Sequence, residues 1–164
     1  RLRSEFAIRK RKQKNPTVED KDMFTYIGTD IIIALDGGKE IVFRTNTLKW
    51  SVVVSFKDEK ARHNSLFSDN DYFDYSDESY SIPKKWAKLI DEKINKITIL
   101  VESNKQHRTM HPDSNEVAIL FETENSNFII SVCSKGLEHS AGLSIFQLED
   151  VDSQFFEGRE KKHI

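Results

Sequence analysis

Leu48, Trp50, Val52, Val54 and Phe56 alternate with Lys49, Ser51, Ser55 and Lys57. No other feature constrains the chain as strongly. Successive side chains of a strand point to opposite faces, so the pattern predicts a strand with one face packed and one largely wet. Just upstream, Ile31-Ile32-Ile33-Ala34-Leu35 is an unbroken apolar run that reads as a strand buried on both faces. Asp36-Gly37-Gly38-Lys39 supplies the positive-φ positions of a tight turn, and Ile41-Val42-Phe43 is the return strand. Connections this short cannot join parallel neighbours, so the sheet is predicted to be antiparallel.

Further along, Ser81 can cap a helix whose first turn tolerates Pro83. Trp86, Leu89, Ile90 and Ile94 share one helical face, with Lys84, Lys85, Lys88, Asp91 and Glu92 mostly turned to water, and Asn95 ends the element. Ile97, Ile99 and Val101 then alternate as a strand. Residues 117–121 and 128–133 form a hairpin about Glu124-Asn125-Ser126-Asn127. Gly136 and Gly142 break the next segment, residues 143–148 form a last strand, and Phe155 and Phe156 dock a terminal turn. The predicted fold class is α+β: a mainly antiparallel sheet of about five to seven strands with one principal amphipathic helix packed on one face.

At 164 residues the chain suits one domain, about the usual size, and can bury a real core. Residues 1–14 carry Arg1, Arg3, Arg9, Lys10, Arg11, Lys12 and Lys14 against Glu5 alone, so the net charge of −2 conceals an acidic remainder. The expected organisation is a basic, flexible arm over residues 1–22 followed by a single domain over 23–164. Such an arm suits nucleic acid or an anionic membrane, or serves only as a solvated tail. Cys133 is the sole cysteine, which excludes an intrachain disulfide and fits a reducing, cytoplasmic compartment. No apolar run is long enough to cross a bilayer as a helix.

Residues 68–80 combine Asp69, Asp71, Asp74, Asp77 and Glu78 with Tyr72, Phe73, Tyr75 and Tyr80, without a lysine, an arginine or an aliphatic residue. Spaced carboxylates repel one another, so a cationic surface relieves the repulsion and associates faster. Tyrosine rings add contact area at low entropic cost. Asp69, Asp71, Tyr72, Asp74, Tyr75, Asp77, Glu78 and Tyr80 are therefore the candidate partner-binding residues. The ordinary alternative is a solvated loop whose rings fold back on the core. As a calcium loop the run fails, because Phe73, Asp74 and Tyr80 occupy the fifth, sixth and twelfth positions.

The remaining chemical candidates are weaker. His107 and His111 are spaced i, i+4 but precede Pro112, and no further ligand completes a zinc site. Gly37-Gly38 joins two strands and is no phosphate cradle. Cys133 sits in an apolar strand, where a thiol is usually inert. Glu138-His139-Ser140 offers catalytic residue types without a nucleophile elbow, so His139 is the first place to look for an active site. Trp50 and Trp86 read as core. No metal or cofactor is expected, nor a catalytic residue.

The hairpin at Gly37-Gly38, the Trp86-Leu89-Ile90-Ile94 helix, the single cysteine and the acidic run resemble, over roughly residues 23–157, the small cytoplasmic immunity proteins of bacterial polymorphic toxin systems. That resemblance implies a toxin domain, often a nuclease, as a basic partner whose active site is occluded. The expected function is a non-catalytic inhibitor. Two alternatives stand beside it. One is a cytoplasmic domain of a membrane-anchored or multidomain protein with its arm on anionic lipid. The other is a small enzyme using His139.

Overall fold

The computed structural model describes residues 2–3, 30–46, 51–58, 72–76, 83–102, 116–133 and 139–163. The strands are β1 (Leu2–Arg3), β2 (Asp30–Ala34), β3 (Lys39–Asn46), β4 (Ser51–Asp58), β5 (Tyr72–Phe73), β6 (Ile94–Glu102), β7 (Glu116–Thr123), β8 (Asn127–Cys133), β9 (His139–Gln147) and β10 (Arg159–His163). They form two five-stranded sheets, ordered β4-β3-β2-β1-β5 and β10-β6-β7-β8-β9. Every pairing is antiparallel. In the first sheet, β4 packs against β7 and β8, and β3 against β9.

The β2–β3 hairpin turns through a short 3-10 segment, Asp36–Gly38, in which Gly37 and Gly38 both have φ of 75°. Nothing lies within 4 Å of where a Gly37 Cβ would be, so it is the left-handed backbone itself that favours glycine in the turn. Ile31 and Ile32 are both buried, one on each face, as the unbroken apolar run requires. The β7–β8 hairpin also follows the sequence. Its turn is tied by the Asn127 side chain, whose Oδ1 accepts from the Thr123 amide at 3.1 Å.

Antiparallel partners share a face, so the registers define the core. Ile31, Ile41, Phe43 and Val52 line the inner side of the first sheet. Val117, Ile119, Phe121, Phe128, Ile130, Val132, Leu143 and Ile145 line that of the second. Phe43 meets Phe121 edge-on across the sheets with centroids 5.6 Å apart, and Phe121 stacks on Phe128 at 4.7 Å. Such ring pairs add about 0.5–1.5 kcal/mol each beyond their area burial. Residues 148–158 leave β9 beside the start of β8 and reach β10 beside the end of β6, opposite corners of the sheet. Phe155 buries itself on the way, and Arg159 stacks over its ring at 4.2 Å.

Three sequence expectations are corrected. The fold is mostly β, not α+β, and the described residues form ten strands instead of the five to seven expected. There is no principal helix among the described residues: α1 spans Pro83–Ala87 only. Asp91, at φ 60°, turns the chain out of helical geometry, and Ile94 and Asn95 begin β6 instead of ending a helix. Trp86 is buried and Leu89 packs on the core, but Ile90 is 46% exposed, so the fourfold apolar stripe is never assembled.

The alternation that predicted β4 gives its pairing but not its burial. Val52 is core, yet Val54 is 41% and Phe56 76% exposed, while Ser51 on the other face is buried. The cause is position. Edge strands have a neighbour on one side only, and β4 is an edge. Gly142, expected to break the chain, lies inside β9.

Candidate functional site

Residues 72–76 of the acidic run are folded onto the edge of the first sheet. β5 pairs with β1, which pairs with β2, so Tyr72, Arg3, Asp30 and Arg44 occupy successive register positions across four strands. Asp30 has a side chain only 3% exposed. Its Oδ1 accepts from Arg44 Nε and its Oδ2 from an Arg44 Nη, both at 3.2 Å, and Tyr72 donates its hydroxyl to Oδ2 at 3.1 Å. A buried carboxylate needs such partners, because unpaired it would lose the hydration of its charge. Hydrogen bonding to Asp30 raises the Arg44 pKa against an opposing desolvation, with the attraction of the Asp30 charge acting in the same direction. Arg44 is thus firmly cationic, and Asp30 accepts hydrogen bonds at both of its carboxylate oxygens.

Beyond Tyr72 the run turns. Asp74 Oδ1 accepts from the Ser76 amide at 3.2 Å and from its hydroxyl at 3.1 Å, a side-chain-closed turn of the kind short acidic residues favour. Asp74 itself is exposed. Tyr75 is partly buried and packs against the core. The two described tyrosines therefore point their bodies or hydroxyls inward while the described carboxylate between them faces water.

Of the candidate partner-binding residues, the structure places Tyr72, Asp74 and Tyr75 together in this corner. Asp69, Asp71, Asp77, Glu78 and Tyr80 lie outside the described residues, as do His107, His111 and Glu138. His139 opens β9 opposite Cys133. Trp86 is 3% exposed and belongs to the core. Among the described residues no group of three or more His, Cys, Asp or Glu could hold a metal ion, and no helix is long and apolar enough to cross a membrane.

Sequence reasoning missed Asp30 and Arg44. A signal was present: both lie seven residues from Gly37, on opposite sides, so the hairpin register sets them face to face. Within the expected arm, Leu2–Arg3 form the strand between β2 and β5. The rest of residues 1–22 lies outside the described residues.

Among the described residues, the corner around Asp30 offers no nucleophile beside a base. Asp30 is ion-paired with Arg44, and the bond it accepts from Tyr72 ties β5 to β2. No family model, known protein or solved structure matches this chain.

Proposed function

We propose that this protein is a non-catalytic, cytoplasmic binding domain. It docks a basic protein through the carboxylates of residues 68–80, as an immunity protein does when it neutralises a toxin domain. The observation that supports the reading is the division of labour in residues 72–76. Tyr72 is bonded to Asp30, Tyr75 rests on the core, and Asp74 is exposed between them. Rings used as anchors leave charge as the displayed property, and displayed carboxylates of one sign steer a cationic partner. Asp69, Asp71, Asp77 and Glu78 flank this anchored turn in sequence and add to its negative charge.

The test is capture from the native host, followed by affinity measurement on the captured protein. Changing Asp69, Asp71, Asp74 and Asp77 together to Asn removes charge with little change of volume. A basic partner whose affinity falls at least tenfold, and whose binding loses most of its salt dependence, agrees with the proposal. Unchanged affinity sinks it. A toxin gene directly beside this one would identify the partner independently.

A further inference from the structure

The first sheet ends at β4, and the free side of that strand is unlike the other strand edges. β4 runs for eight residues, bonds to β3 on one side, and exposes Val53 at 42%, Val54 at 41% and Phe56 at 76%. Unpaired strand edges template pairing with another chain, and proteins blunt them with charge, brevity or cover. The other three edges use those devices. β10 carries Arg159, Glu160, Lys161 and Lys162, β5 has two residues, and residues 143–147 of β9 are all buried. β4 alone among the described edges is long and exposes large apolar side chains, at Val53, Val54 and Phe56.

We infer that β4 is a self-association surface, on which a second copy of this chain pairs antiparallel about a two-fold axis at Val54. The self-complementarity of the edge selects that occupant. With Val54 on the axis, Val52 falls opposite Phe56 of the second copy, Val53 opposite Ser55, and Ser51 opposite Lys57. Aromatic and β-branched residues pair favourably across strands, and no like charges are opposed. Phe56 would extend the core face that Val52 already belongs to. The neighbouring registers are worse. An axis at Val53 pairs only residues 51–55 of the strand with one another, and one at Ser55 sets Asp58 against Val52 and Lys57 against Val53. A shift by one residue reverses the faces altogether.

The acidic run lies at the other edge of the same sheet, at β5, so this pairing leaves it uncovered. A dimer would carry two such runs at the ends of a ten-strand sheet, about 40 Å apart at ~4.8 Å per strand. The inference does not depend on what that run binds.

The test uses the full chain. Sedimentation equilibrium should show a monomer–dimer equilibrium, and Val54→Lys, which opposes two like charges on the axis, should weaken it at least tenfold. In a Cys133→Ser background, Val54→Cys places the two thiols at the separation a disulfide needs, so mild oxidation yields a covalent dimer. Ser51→Cys in that background faces Lys57 and should not cross-link. The cross-linking readout stands even if Val54→Lys fails to fold. A chain that stays monomeric at its highest soluble concentration overturns the inference, as does equal cross-linking from positions 51 and 54.

Discussion

At the scale of residues, Asp30 decides how the acidic run meets the sheet. It is buried, and among the described residues it accepts hydrogen bonds from Arg44 and Tyr72. Asp30→Ala strands both partners. Arg44 is partly exposed and can recruit water, so the expected loss is about 1–3 kcal/mol by urea unfolding. Tyr72→Phe removes the hydroxyl bond to Asp30 and should cost only about 0.5–1.5 kcal/mol. Equal losses would contradict the network. Glu92 offers a pH test. Its carboxylate accepts from the Asn125 side chain at 2.6 Å and the Asn125 amide at 3.1 Å, and these bonds lower its pKa. A lowered folded pKa contributes stability above the ordinary glutamate value and loses it as pH falls through the folded one. Asn125→Ala should move the Glu92 titration, followed by NMR, back upward; an unmoved titration would refute the assignment.

At the scale of elements, Asp91 marks where the amphipathic reading of residues 81–95 and the structure part. With φ of 60°, Asp91 costs less than most residues would, because short polar side chains tolerate the left-handed region. In a continuous helix Asp91→Ala would gain roughly 0.5 kcal/mol; at this turn it should lose about 1 kcal/mol. Thermal unfolding separates the two signs. The misreading has a physical source: the spacing of Trp86, Leu89, Ile90 and Ile94 fits a helix, yet Ile94 also opens the β-branched segment that became β6. The β2–β3 and β7–β8 hairpins were legible because Gly37-Gly38 and residues 124–127 carry turn chemistry of their own. Two-residue strands such as β1 and β5 have no period to detect. Nor does alternation reveal that a strand is an edge, which is why Val54 and Phe56 read as core.

At the scale of the whole molecule, the first sheet has two unlike ends. One is β4, apolar and exposed, with self-pairing disrupted by Val54→Lys as its test. The other is β5, where Asp30 holds Tyr72 and the turn after it exposes Asp74. The acidic composition was legible in the sequence, but its anchoring was not, since Tyr72 and Asp30 are 42 residues apart. The most direct measurement is the affinity of the partner captured from the native host, across a salt series, for the natural chain and the Asp69, Asp71, Asp74 and Asp77 to Asn variant. The expected result is a basic partner bound at least tenfold more weakly by the variant, with a flattened salt dependence. A partner bound equally by both, at every salt concentration, would contradict the account.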